Sequence, residues 1–173
     1  KFGEMATGDL LKDIDSPDPL VKMKAGYIKG DAHIIGYSET EVDASVEQCA
    51  SWDYRVDSRE RMATFDQHRG LERVITKRSD HCQLNRTVYD LTGSAFIRPR
   101  EFFVKTVWKW DNDAHNNFTI ASNAMIDEGL APSNNKKFAR ATVNSMLSFQ
   151  KLENVGGFPR TKVSFWAQVN LGG

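Results

Sequence analysis

The side chains most readily used near neutral pH as a base, a nucleophile or a soft metal ligand are His33, His68, His81 and His115, with Cys49 and Cys82. Catalysis needs such a group held beside a partner. Three of the four histidines fall in predicted turns or at helix ends, where an imidazole is ordinarily solvated. His81 and Cys82 are adjacent, but neighbours in an extended strand point to opposite faces. No HxxxH or CxxC spacing marks a metal site. Gly156-Gly157 runs into Phe158-Pro159 rather than into a helix, so it does not make a phosphate-binding loop. The reading is a chain with no catalytic residues, no metal and no cofactor.

Composition narrows the remaining classes. At 173 residues the chain is one domain by size, and 40% hydrophobic residues supply a core. The 23 basic and 23 acidic residues cancel, which leaves no global field for nucleic acid or an anionic membrane, so no nucleic-acid partner is expected. No stretch approaches the roughly 18 apolar residues of a membrane span. Lys1-Phe2-Gly3-Glu4 is neither an initiator methionine nor a signal peptide, and the chain reads as an excerpt from a longer protein. The two cysteines fit reduced thiols and a cytoplasmic location, peripheral at membranes at most. Asn85-Arg86-Thr87 and Asn117-Phe118-Thr119 match the glycosylation sequon, but both sit in predicted strands and are read as chance.

The elements follow from periodicity and stop signals. Asp9 to Ile14 is read as one or two helical turns, stopped by Ser16-Pro17-Asp18-Pro19. Val21, Met23, Ala25 and Tyr27 alternate with Lys22, Lys24 and Gly26, which predicts a half-buried strand. A second strand carries Ser38, Thr40 and Val42 on one face. Ser45-Val46-Glu47-Gln48 is a capping box opening a helix. A second helix starts at Asp57-Ser58 and runs to about His68, ended by Gly70. The rest reads as strands: Leu71 to Lys77, Leu84 to Asp90, Arg100 to Trp110, Asn117 to Ala121, Lys137 to Leu152 and Thr161 to Asn170. Strands, two short helices and then a run of long strands predict an α+β fold on an antiparallel sheet, and long strands must twist and coil.

Arg100 to Trp110 puts Phe102, Val104, Thr106, Trp108 and Trp110 on one face, with Phe103, Lys105, Val107 and Lys109 on the other. The lysines mark the wetter face. On the last strand Val163, Phe165, Ala167 and Val169 alternate in the same way. Such faces pack against protein or against a ligand, and periodicity does not separate the two. An apolar cavity also needs a few polar groups for orientation, and Thr106, Asn144 and Gln168 are the candidates.

Several pieces in order resemble the START family, the steroidogenic-acute-regulatory-related lipid-transfer domains. They are Gly36-Tyr37-Ser38-Glu39-Thr40-Glu41-Val42-Asp43-Ala44, then Arg55-Val56-Asp57-Ser58-Arg59-Glu60, then Arg98-Pro99-Arg100-Glu101-Phe102-Phe103-Val104 with Trp108 downstream. Ala131-Pro132 before Arg140-Ala141, and Thr161-Lys162-Val163 through Gln168-Val169-Asn170-Leu171-Gly172-Gly173, complete the series. The match covers nearly all of the chain from about Val21. It implies a helix-grip fold: a curved antiparallel sheet with short helices between the early strands and a tunnel for one lipid, of the sterol, phospholipid or ceramide class.

The resemblance divides the chain into an N-terminal segment, 1–20, partly helical, and a lipid-binding domain, 21–173. The family enters a final helix where this chain reaches Gly172-Gly173, so the expectation is a domain truncated before that helix, with an exposed apolar face. The implied ligand-binding set is Phe102, Val104, Thr106, Trp108, Phe118, Ile120, Arg140, Asn144, Met146, Val163, Phe165 and Gln168. Sterol-carrying members often pair a buried arginine with an acid on neighbouring strands; Thr106 and a position near Thr87 fall there instead. Arg140 is either a cavity cation or an arginine on the sheet's outer face. The function implied is binding of one lipid for transfer or sensing, with transient membrane contact for exchange, by a monomeric domain of a larger protein. The rival readings are a ligand-regulated interaction module and a cyclase- or aromatase-like enzyme of the same fold.

Overall fold

A computed structural model describes residues 11–28, 30–93, 97–112, 114–125 and 137–172. Residues 9 and 10, Ala131-Pro132 and the loop from 129 to 135 lie outside that set. Nine strands and two helices follow one another: β1 (Leu11–Ile14), β2 (Lys22–Tyr27), β3 (Ile34–Val42), α1 (Val46–Tyr54), α2 (Arg59–Gln67), β4 (Gly70–Ser79), β5 (Cys82–Tyr89), β6 (Arg100–Trp110), β7 (Asn117–Ala124), β8 (Ala139–Val155) and β9 (Phe158–Asn170). The strands hydrogen-bond in the order β1-β2-β3-β9-β8-β7-β6-β5-β4. The first residues of β6 and β8 also pair directly and in parallel, Arg100 with Ala139 and Phe102 with Ala141.

The helix starts form as their sequences dictate. The Ser45 N–H donates to Gln48 Oε1 at 2.9 Å, and the Gln48 N–H donates to Ser45 Oγ at 3.3 Å, which closes the capping box of α1. Ser58 caps α2 by accepting from the Arg61 N–H. The end of α2 differs from expectation. Arg69, with φ 59°, takes the left-handed position, and Gly70 already belongs to β4. Glycine is needed at 70 for another reason: a Cβ there would lie 2.3 Å from the Phe65 ring. Between β8 and β9, Gly156 and Gly157 have φ 59° and 82°, the left-handed pair that a two-residue hairpin turn requires. β9 therefore begins at Phe158, not at Thr161.

One expected helix is a strand. Leu11–Ile14 pairs with β2, Leu11 opposite Gly26 and Ile14 opposite Met23. Four residues are too few for a stable isolated helix, and an available strand edge satisfies their backbone groups instead. The sheet thus begins inside the segment expected to precede it.

The chain divides into two compact units. The first comprises 1–54, 108–121 and 144–169. Its core is Val46 and Ala50 of α1 packed with Phe118, Ile120 and Phe149, joined by Cys49, Tyr54, Trp108, Trp110, Leu147 and Val163. The second comprises 55–107, 122–143 and 170–173. There Phe65 of α2 meets Tyr89 edge-on at 5.0 Å, and the Arg73 guanidinium lies 4.1 Å above the Phe65 ring.

Candidate functional site

Strand register gives each candidate residue a side. On β6, Val104 and Thr106 are buried while Lys105 and Lys109 are exposed, so Phe102, Val104, Thr106 and Trp108 share the dry face. Antiparallel partners share a face. Gln83 opposite Thr106, Asn85 opposite Val104 and Thr87 opposite Phe102 therefore join it from β5. On β8, Ala139 and Ala141 pair with Arg100 and Phe102 and are buried, and Phe149 has the same parity.

Four expected contacts fall on the other face. Arg140 pairs in register with Glu101, and its Nη2 lies 3.0 Å from Glu101 Oε2. Arg86 Nε donates to Glu101 Oε1 at 2.6 Å and Arg86 Nη1 reaches Glu72. Arg140 is thus one of two cations that neutralise a carboxylate 3% exposed, and the open choice for it resolves to the face away from Val104 and Thr106. Asn144 and Met146 have the parity of Arg140 and so lie opposite Leu147 and Phe149 on β8. Gln168 alternates with Val163 and Phe165; its Nε2 donates to Asp31 Oδ2 at 3.0 Å and to the His33 carbonyl at 3.2 Å.

The remaining candidates separate by unit. In the first, Trp108 stacks on Phe118 with centroids 5.1 Å apart, and Phe118 meets Phe149 and Trp110 edge-on. Ile120 is buried and Val163 packs on the same cluster, so these residues contact protein. Phe165, further along β9, is 37% exposed. In the second unit, Phe102 meets Tyr89 edge-on at 6.3 Å, and Val104 is buried.

Thr106 sits in a buried polar cluster. Asn85 Nδ2 donates to Thr106 Oγ1 at 3.3 Å, and Thr106 Oγ1 shares a hydrogen bond with Ser122 Oγ at 2.9 Å. Thr87 is not its partner, because register puts Thr87 opposite Phe102. Asn85 carries no candidate motif beyond its sequon. Only the pairing of β5 with β6 brings it to Thr106.

Two cavities are described, both in the first unit. One, of about 160 Å³, is lined by Ser45, Glu47, His115, Lys151 and Arg160 among others. The other is an open groove of about 710 Å³ along Asn112, Asn116 and 150–154. Neither takes in a candidate residue. Burial raises the Cys49 thiol above its ordinary value, so it stays protonated and unreactive at neutral pH. Among the described residues no three His, Cys, Asp or Glu side chains are grouped to hold a metal ion. Among the same residues no helix is long and apolar enough to cross a membrane.

A single antiparallel sheet with two short helices inserted between its third and fourth strands defines an α+β grip architecture. No family model matches the chain, and no curated protein sequence matches it. Solved structures do match. The human StarD13 (DLC2) lipid transfer and protein localization domain aligns with a TM-score of 0.73 at 15% identity, over 94% of this chain and 76% of that one. Human StAR-related lipid transfer protein 5 gives 0.73 at 18% identity, over 99% and 77%. A STAR-related lipid transfer protein fragment from Xanthomonas axonopodis gives 0.68 at 11% identity, over 95% and 83%. The fold is the START helix-grip.

Proposed function

We propose that this chain binds one lipid molecule on the dry face of its sheet, for transfer between membranes or for sensing. The observation that carries the reading is the START fold, shared at TM-score 0.73 with two human proteins whose names describe lipid transfer. The second unit supports it with a dry strand face bearing Phe102, Val104 and Thr106, whose opposite side carries the charges of Arg86, Glu101 and Arg140. The driving force is burial of lipid hydrocarbon, about 25 cal/mol per Å² removed from water. Residues 21–173 with β1 form the binding domain, and it meets membranes transiently, in the cytoplasm, when lipid exchanges. It acts as a monomeric part of a larger protein, without nucleic acid and without catalysis. The dispersed histidines and the protonated Cys49 thiol support the non-catalytic reading.

The test is lipid uptake from mixed vesicles by the unaltered chain and by two variants on opposite faces of β6. Phe102→Ala lowers loading several-fold, and Lys105→Ala leaves it unchanged. Equal effects would place the ligand elsewhere.

A further inference from the structure

The neutral total of this chain conceals an uneven distribution. The second unit carries fourteen Lys and Arg against nine Asp and Glu, and the first carries nine against fourteen. In the second unit, the sheet face away from Val104 and Thr106 is formed by β4, β5 and β6, and β4 is the last strand of the sheet. Register sets its rows: Glu72, Val88 and Glu101, joined by Arg140; then Val74, Arg86 and Phe103; then Thr76, Leu84 and Lys105. Glu72 and Glu101 are the acids of these rows, and Arg86 and Arg140 already neutralise them. Lys105 is exposed and makes no ion pair among the described residues. Two bulges add one residue near each end of β4: Leu71 between Gly70 and Glu72, and Arg78 between Lys77 and Ser79. Arg78 is exposed, and Asp80 in the turn that follows is held instead by Lys77 at 2.8 Å. Two large aliphatic side chains are exposed beside these cations, Leu71 at 56% and Val74 at 47%.

We infer that this outer face of β4, β5 and β6 is a docking surface for an anionic lipid bilayer. The inference rests on the lipid-binding reading above, which requires the domain to meet a membrane, and adds which face does so and which lipids draw it. Arg78 and Lys105 are not opposed by acids, and Arg86 and Arg140 leave no acid of the face unpaired, so the field over it is positive. Each such cation near a bilayer that carries phosphatidylserine adds to the attraction, and the effects multiply in the partition coefficient. Acidic protein would satisfy the cations alone. Exposed Leu71 and Val74 beside them fit a partner that is anionic at its surface and apolar beneath. Charged residues on an edge strand also deter strand pairing. That role accounts for Arg78 but not for Lys105, which stands on the third strand from the edge, nor for an exposed Leu71.

The experiment is co-sedimentation with vesicles of phosphatidylcholine alone or with phosphatidylserine added, at low and at raised salt. The unaltered chain binds the phosphatidylserine vesicles about tenfold or more tighter, and the preference shrinks as salt screens it. Arg78→Glu with Lys105→Glu abolishes the preference, and the milder pair Arg78→Gln with Lys105→Gln lowers it about tenfold. Lys12→Glu with Lys22→Glu changes the net charge as much as the first pair, at exposed sites of the first unit, and keeps the preference. Leu71→Ser weakens binding to the phosphatidylserine vesicles at both salt concentrations. Docking alters how fast lipid exchanges and not how much is held at equilibrium, so Lys105→Ala slows uptake and leaves final loading unchanged. No preference for phosphatidylserine, or equal losses in the two glutamate pairs, would overturn the docking face and leave lipid binding intact. Polyglutamate that competes fully with the vesicles, together with a silent Leu71→Ser, would assign the face to an acidic protein and overturn it too. A chain that shows the preference yet never loads lipid would overturn the lipid-binding reading alone.

Discussion

The aromatic cluster beneath α1 and the polar cluster of Asn85, Thr106 and Ser122 are both sequestered on strand faces, and they differ in how far the protein completes them. In the first unit Phe149 is fully buried, Phe118 touches Trp108, Trp110 and Phe149, and α1 adds Val46 and Ala50. In the second unit the hydrogen-bonded chain from Asn85 through Thr106 to Ser122 stops at an amide oxygen with no donor. A core is finished when its contacts close. The cluster around Asn85 stops one partner short.

The largest effect belongs to the closed cluster. Phe149→Ala costs about 3–5 kcal/mol of folding stability, from lost burial plus the cavity left behind. Denaturant unfolding measures it, and a cost near zero would mean that the cluster is not the core of its unit. Next comes the ion group on the other face of β6. Glu101→Gln keeps the shape but removes the charge shared by Arg86 and Arg140, and costs about 1–3 kcal/mol because both arginines remain partly in solvent and Arg86 keeps Glu72. Asn85→Leu sharpens the comparison: it changes ligand-free stability by no more than about 1 kcal/mol, since it deletes one hydrogen bond and relieves one unmet acceptor. A loss as large as that of Phe149→Ala would show that the Asn85 cluster is as closed as the aromatic one.

The smallest effect is electrostatic and depends on pH. Lys162 Nζ lies 2.8 Å from Glu39 Oε2, and the Tyr37 hydroxyl donates to the same oxygen at 2.6 Å. These bonds, Lys162's first, hold the Glu39 carboxyl below its ordinary value. A depressed carboxyl contributes stability above its unfolded value and loses it as pH falls through the folded one. Lys162→Met therefore costs up to about 1 kcal/mol at neutral pH, discounted for solvent exposure, and nothing once Glu39 is protonated. A cost independent of pH would mean that Lys162 acts by packing alone.

What the sequence shows depends on how strictly period two is obeyed. β6 is legible because Lys105 and Lys109 mark one face and Val104 and Thr106 the other. β8 obeys it nearly as well: Ala139, Ala141, Val143, Leu147 and Phe149 share one parity, against Met146 and Leu152 on the other. The phase was therefore legible, and the pairing with β6 agrees with it in setting Asn144 and Met146 away from the face expected for them. Gln168 was legible and missed, because alternation with Val163 and Phe165 already opposes it to them. Asn85 could not be found from the chain alone. A lone asparagine in a strand looks like chance until register sets it beside Thr106. Leu11–Ile14 has no strong pattern of its own and becomes a strand because β2 offers an edge.

The measurement that tests the account most directly is mass spectrometry of lipids that co-purify with the protein from a eukaryotic host. The account predicts one lipid class in stoichiometric amount. A well-folded protein with nothing bound, which also takes up no lipid from mixed vesicles, would contradict it.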